Sequence, residues 1–209
     1  PGEKHKESFR SASNAAAKGG VTSLVTRPDT KPSIDNPELL EFFKNRGKEF
    51  SKVRIFPTAS LTKKNNGKKM TEIGLLHEGG AVAFTDGFNS IPNTKTFHTI
   101  LKYASDFNTL IIGHPQDHFL TQSTSASSGV FASIKGLSSS PNIAEKIGIE
   151  RDTALVNNIN IRYHADQITT KIGLDVLRHA KKNNDRVTAG TSIHHILFNE
   201  LDIGNYRTF

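Results

Sequence analysis

Short apolar runs alternate with longer amphipathic ones along the whole chain, and turn-forming residues separate them. Ser8 to Lys18 is rich in alanine and closed by Gly19-Gly20, which predicts a helix with a glycine stop. Val21 to Thr26 is short and β-branched and predicts a buried strand, broken by Arg27-Pro28-Asp29-Thr30-Lys31-Pro32. Asp35-Asn36-Pro37-Glu38 offers a helix start, and Glu38 to Glu49 carries Leu39, Leu40, Phe42 and Phe43 along one side. The alternation then repeats. Strands are expected at Val53 to Pro57, Ala81 to Phe84, Thr109 to Gly113, Asn160 to Tyr163 and Arg186 to Ala189. Helices are expected at Thr71 to His77, Thr94 to Ser105, Asn142 to Val156, Ile172 to Lys182 and Ile193 to Asn199. The serine-rich stretch from Thr121 to Ser140 reads as a long, mobile connection within one domain.

Strands alternating with helices mean βαβ units and a parallel sheet, and six strands can be counted. Pattern alone leaves two architectures open: a doubly wound open sheet, or a barrel lacking some strands. No glycine-rich phosphate fingerprint opens a helix, which weakens a dinucleotide-binding reading. In either architecture the functional groups belong just beyond the C-terminal ends of the strands. That rule selects Arg27 to Thr30, Thr58 to Lys63, Thr85 to Asn89, His114 to Asp117, His164 to Thr170 and Thr191 to His195.

Composition narrows the chemistry. With 35% hydrophobic and 22% charged residues, the 209-residue chain has the balance of a globular domain. A complete eight-stranded α/β barrel typically takes about 250 residues, so this chain is short for one. No apolar run is long enough to span a bilayer, and the polar first residues do not form a signal peptide. There is no initiator Met, so the chain is expected to start inside a longer sequence. With no cysteine, any metal would rest on histidines and carboxylates, as suits a cytoplasmic protein. The net charge of +7 is spread along the chain; its densest run (Lys63, Lys64, Lys68, Lys69) falls in an Asn/Gly-containing loop. No nucleic-acid motif accompanies that run, so neither nucleic acid nor membrane is expected as a partner.

The strand ends themselves carry a resemblance. Pro1-Gly2-Glu3-Lys4-His5-Lys6-Glu7, followed by Ala15 to Thr22, is similar to the segment after the first metal motif of bacterial dihydroorotases. Arg27 to Pro32 resembles that family's M-P-N-T-x-P loop, and Ala83-Phe84-Thr85-Asp86-Gly87 its F-[ST]-D-D-G turn. His114-Pro115-Gln116-Asp117 looks like its H-x-E-D motif, and Tyr163 to Thr170 its H-x-x-H-V-S-T. Val187-Thr188-Ala189 with Ile193 to Leu197 resembles V-T-A-E-x-x-P-H-H-L. Each motif is weak alone; six in the right order across nearly the whole chain are specific.

This resemblance implies a (β/α)8 barrel of the amidohydrolase kind, a single domain over residues 1–209 lacking its first and last strands. It implies metal-assisted hydrolysis or closure of a cyclic amide, dihydroorotate or N-carbamoyl-aspartate, in pyrimidine synthesis. In the family two zinc ions share a hydroxide formed at neutral pH, and a carboxylate on the closing strand carries the proton to the leaving nitrogen. Carried over, Asp86 matches the bridging acid and His114 the first of two single metal-binding histidines. Gln167 falls where the second is expected; it is neutral and a poor zinc ligand beside imidazole. His164 matches a histidine that usually binds no metal. Asp29 stands where the family has an asparagine that binds the substrate carboxylate, and would repel that anion. The H-x-H pair of strand one and the catalytic Asp of strand eight fall outside the 209 residues.

Plainer readings stand beside these. His114 can be a satisfied structural histidine, and Asp86-Gly87 an ordinary turn pair. His194 and His195 are adjacent, so one helix face cannot easily present both; they read as substrate-side groups. Gln167 and Asp29 favour a noncatalytic dihydroorotase-like subunit that supports aspartate transcarbamoylase by assembly, whereas Asp86 and His114 favour the enzyme. A related hydantoinase or allantoinase is a third possibility. Self-association is expected, because an unclosed barrel exposes two strand edges and would aggregate or pair when expressed alone.

Overall fold

The computed structural model describes residues 5–204. Residues 1–4, part of the first motif above, lie outside the described residues. The chain divides into two compact units, residues 1–112 and 113–209.

In the first unit α1 (Phe9–Lys18) opens on Ser8, whose hydroxyl caps the helix in a box with Ser11. It leads into β1 (Ser23–Thr26). Helix α2 (Pro37–Phe50) starts as expected, with Asn36 capping the Leu39 amide and Pro37 in the first turn. Strand β2 (Arg54–Pro57) pairs in parallel with β1 in the register Ser23 to Arg54 through Thr26 to Pro57. Helices α3 (Ile73–Glu78) and α4 (Thr94–Ser105) follow, then β3 (Leu110–Gly113). Phe9 meets Phe43 edge to face at 4.7 Å, which ties α1 to α2. Leu40, Ile73, Leu76, Phe84, Ile100, Leu101 and Ile111 are fully enclosed and form this unit's core.

The expected strand Ala81 to Phe84 is reduced to single parallel bridges, Ala59 with Phe84 and Phe84 with Ile111. The segment is squeezed between the Gly79-Gly80 turn and the Asp86-Gly87 turn, so little of it can run straight. It still carries sheet bonds on both sides. Ala59 N–H donates to Ala83, Phe84 N–H to Leu110 and Ile112 N–H to Phe84. Four parallel segments therefore place residues 27–30, 58–62 and 85–88 beyond their C-terminal ends.

The second unit holds α5 (His118–Thr121), β4 (Ala126–Ser127), α6 (Val130–Lys135), β5 (Ser139–Ser140), α7 (Ile143–Ile159), β6 (Arg162–Ala165), α8 (Lys171–Asn183), β7 (Val187–Ala189) and α9 (Ile193–Leu197). The serine-rich stretch is thus no plain loop: it contains α6 and a two-residue parallel pair, β4 with β5. Helix α7 runs three residues past its expected end and stops at Asn160, whose left-handed backbone (φ 61°) closes the last turn. This shifts the following strand two residues along, to β6, which pairs in parallel with β7. An asparagine adopts that conformation readily, so its reading as the first strand residue gives way to a helix stop.

The inner face of α7 repeats at helical spacing through Glu145, Ile149, Asp152 and Val156, so two acids lie on a core-facing stripe. Asp152 accepts from the Tyr163 hydroxyl at 2.7 Å and pairs with Arg151 at 2.6 Å. Burial pushes the Asp152 carboxyl and the Tyr163 hydroxyl up, against the pull of Arg151. Gly113 makes room for the tyrosine ring, because a Cβ there would overlap its hydroxyl.

Candidate functional site

The strand ends of each unit gather a distinct set of polar groups. In the first unit, Asp86 follows the Phe84 bridge and is 2% exposed. Its Oδ1 accepts from the Thr62 N–H at 2.8 Å, and its Oδ2 accepts a short bond from the Thr62 hydroxyl. Thr62 Oγ1 accepts in turn from the Gly67 N–H at 2.9 Å, so the threonine is itself fixed. Burial pushes the Asp86 carboxyl up to about 6, against the downward pull of the Thr62 bonds. It is therefore a titrating group near neutral pH.

Asp29 lies above the next residue. A Cβ at Gly87 (φ 69°) would stand 2.7 Å from Asp29 Oδ2 and 2.8 Å from Arg27 Nη2, so only glycine lets the two loops close up. Arg27 donates to Asp29 through Nε at 3.3 Å and Nη2 at 3.2 Å, and its guanidinium lies 3.6 Å from the centre of the Phe88 ring. The expected repulsion between Asp29 and an anionic substrate is offset at its source, because the charge is paired two residues away. The motif alone does not mark Arg27 as Asp29's partner; the signal for it is an i, i+2 opposite-charge pair across a Pro turn.

In the second unit His114, Gln116, Gln167 and His195 line one pocket of about 360 Å³. They come from the segments after β3, after β6 and from α9. Hydroxyls from Thr121, Thr124, Ser125, Ser127 and Ser140 complete much of the wall. Gln167 holds a left-handed backbone, φ 57°, on the turn after β6. His195 Nδ1 is 2.8 Å from the Ser192 hydroxyl. His194 is not among the lining residues; its ring stacks on Phe198 at 6.2 Å. His164 lies on β6 with Nδ1 2.8 Å from Thr188 Oγ1, and burial pushes its imidazole down, against Asp166.

A lining residue that sequence reasoning missed is Glu145, 4% exposed in the first turn of α7. Its Oε2 accepts from the Thr169 N–H at 2.9 Å and hydroxyl at 2.8 Å. Its Oε1 accepts from the Thr170 N–H at 2.9 Å and hydroxyl at 2.6 Å. The available signal was Thr169-Thr170 at a helix start with Gly173 three residues on, a place that favours an anion.

Among the described residues, no three His, Asp or Glu side chains gather closely enough to hold a metal ion. Each Asp86 oxygen already accepts one bond from Thr62, and Gln167 is neutral. These residues do not make a zinc centre on their own. No helix among them is long and apolar enough to cross a membrane.

Similarity to known proteins agrees with this layout. A model of dihydro-orotase-like domains matches residues 1–173, a range that holds Asp29, Asp86, His114 and Gln167 and ends before His194 and His195. The dihydroorotases of Bacillus pumilus (strain SAFR-032) and Bacillus subtilis (strain 168) are each 38% identical over 208 residues, covering 100% of this chain and 49% of theirs. The chain thus spans about half the length of the curated relatives it matches. Among solved structures, the L-hydantoinase (dihydropyrimidinase) of Arthrobacter aurescens superposes with a TM-score of 0.78 at 17% identity, over 94% of this chain and 45% of that one. That likeness selects a partial α/β barrel over a doubly wound sheet. With six ordered motifs, a family match over most of its length and the polar groups at its strand ends, this chain belongs to the dihydro-orotase-like family.

Proposed function

We propose that this chain is part of a dihydroorotase-type cyclic amidohydrolase, which opens or closes the ring joining dihydroorotate and N-carbamoyl-aspartate in pyrimidine synthesis. One observation carries the reading: His114, Gln167 and His195, from three separate segments, line a single polar pocket beyond the strand ends. A cyclic amide presents alternating N–H donors and carbonyl acceptors. The Gln167 amide supplies one of each, and the imidazoles and hydroxyls supply adjustable partners. Ring opening adds water across the amide: oxygen bonds to the carbonyl carbon, the C–N bond breaks and the nitrogen takes a proton. Zinc, where bound, supplies the nucleophile for such a reaction by acidifying water. By the family resemblance, His114 in the second unit and Asp86 in the first each hold a position that binds metal in the family.

A second reading has its own support. Thr62 bonds each oxygen of Asp86, and by resemblance Gln167 stands at a metal-histidine position. These favour a noncatalytic subunit that supports aspartate transcarbamoylase by assembly. Bound zinc together with turnover of dihydroorotate by the full-length protein supports the enzyme. Absence of both, with co-sedimentation alongside aspartate transcarbamoylase, supports the scaffold. No turnover and no co-sedimentation overturns the two together. A cytoplasmic location and self-association accompany either reading.

A further inference from the structure

The loop from Asp166 to Thr170 is pinned at both ends and in the middle. Asp166 N–H donates to Gly113 at 2.8 Å, Ile168 N–H donates to Gly190 at 2.9 Å, and Thr169 and Thr170 are held by Glu145. Gln167 is the arch between the first two anchors, in a left-handed conformation that costs a non-glycine residue free energy unless its surroundings impose it. Glu145 reaches the third anchor from 24 and 25 residues away.

Its seat is built for a carboxylate. Thr170 caps the thirteen-residue helix α8, accepting from the Gly173 N–H at 3.0 Å while donating to Glu145. The positive end of α8 therefore faces the buried anion. A Cβ at Gly173 would overlap Glu145 Oε1 and stand 2.9 Å from Thr170 Oγ1. The same face of α7 shapes a second pocket wall. Asp117 N–H donates to the Ala144 carbonyl at 2.9 Å, and a Cβ at Gly148 would stand 2.5 Å from Gln116 N.

We propose that Glu145 is a positioning residue: by locking Thr169 and Thr170 it fixes the arch after β6, and so the direction in which Gln167 presents its amide to the pocket. The assignment depends on the proposed function only in naming what Gln167 is positioned for. Glu145 has no oxygen left over for a ligand, because its two oxygens already accept four bonds.

Glutamine-selective nitrogen-15 labelling of the full-length protein tests this; within this chain glutamine occurs only at 116, 122 and 167. Gln167→Asn assigns the Gln167 side-chain amide pair. Glu145→Asp keeps the charge but shortens its reach, and Gly173→Ala leaves the charge and pushes the carboxylate from its seat. In each folded variant the Gln167 pair moves while the Gln122 pair stays. Hydrogen exchange at Thr169 and Thr170 speeds up about tenfold, the scale of one charge-assisted hydrogen bond. An unmoved Gln167 pair with unchanged exchange, in either folded variant, overturns the proposal. Should both fail to fold, Thr169→Val, which removes one donor, carries the same two readouts. Dihydroorotate is then added to the unmodified protein. A shift of the Gln167 pair supports the pocket as its site. No shift, alongside a variant that moves the pair, removes dihydroorotate as ligand and leaves the role of Glu145 standing.

Discussion

The two units each bury a carboxylate beside their strand ends, and the two are supplied with donors very differently. Asp86 receives an N–H and a hydroxyl from one residue, Thr62. Glu145 receives two N–H groups and two hydroxyls from consecutive threonines at a helix start. For Asp86 the desolvation of burial outweighs its donors, and the carboxyl rises to about 6. Donor supply differs far more than depth: Asp86 is 2% exposed and Glu145 4%, yet Glu145 accepts twice as many of these bonds. The first mouth holds a buried acid beside an Arg27–Asp29 pair; the second holds a hydroxyl-rich pocket with its carboxylate tied into the wall.

The hardest blow to this contrast is Glu145→Leu. Four donors of part-buried bonds would lose their carboxylate acceptor at once, and we expect a loss of about 3 kcal/mol in urea unfolding. A loss near 1 kcal/mol, the cost of one ordinary neutral bond, would mean that its four bonds add little beyond what water supplies to the free loop.

Next in size is the pH dependence of Asp86. Its folded pKa of about 6 lies above the ordinary 3.8, so the folded state holds the proton more tightly. Its contribution is fully present below pH 3.8 and is lost as pH rises through 6. The shift corresponds to about 3 kcal/mol across that window. Asp86→Asn should remove this fall, so the stability difference between variant and parent grows in the variant's favour from pH 4 to 7. Thr62→Val withdraws a donor from the carboxylate, and proton titration by NMR should show Asp86 moving higher still. A flat difference with pH would mean that the Thr62 bonds win over desolvation.

The sequence made the alternation legible because its strands are short β-branched runs stopped by glycine, proline or Asp-Gly, and its helices carry recognisable starts such as Asn36-Pro37. The motif order made the strand mouths legible too, and the structure places His114, Gln167 and His195 on one pocket. What stayed hidden acts at a distance or through space. Glu145 bonds residues 24 and 25 positions on, which no local pattern announces. Asn160 reads as a strand residue until its left-handed turn ends α7. His194 and His195 are equivalent on paper; only the helix decides that one faces the pocket and the other stacks on Phe198. Asp29 looks repulsive because a charge is visible in sequence, whereas its pairing with Arg27 over Gly87 is a matter of loop closure.

The backbone of Gln167 offers a smaller test. Replacing it with glycine relieves the left-handed strain but frees the unfolded chain, so the two effects oppose each other. We expect Gln167→Gly to be stabilising by up to about 1 kcal/mol in thermal melts, because φ 57° is imposed by the anchors on either side. A clear destabilisation would mean that contacts of the Gln167 side chain with the pocket wall outweigh its backbone strain.

The smallest effect concerns Arg27, and it probes the first mouth's compensation directly. The pair with Asp29 is about a third exposed on both sides, at 32% and 31%, so solvent screens its attraction. Contact with the Phe88 ring adds a cation–π interaction of about 0.5–1 kcal/mol. Arg27→Ala should therefore cost about 1 kcal/mol in urea unfolding, with part of the loss recovered by salt in the variant as the uncompensated Asp29 is screened. Asp29→Asn should cost less, because Arg27 keeps its seat on the ring and an amide oxygen still accepts a bond. The order of these two substitutions is the informative result. If Asp29→Asn proved the more damaging, the carboxylate would be holding the loop over Gly87, and Arg27 would be its accessory rather than its compensation.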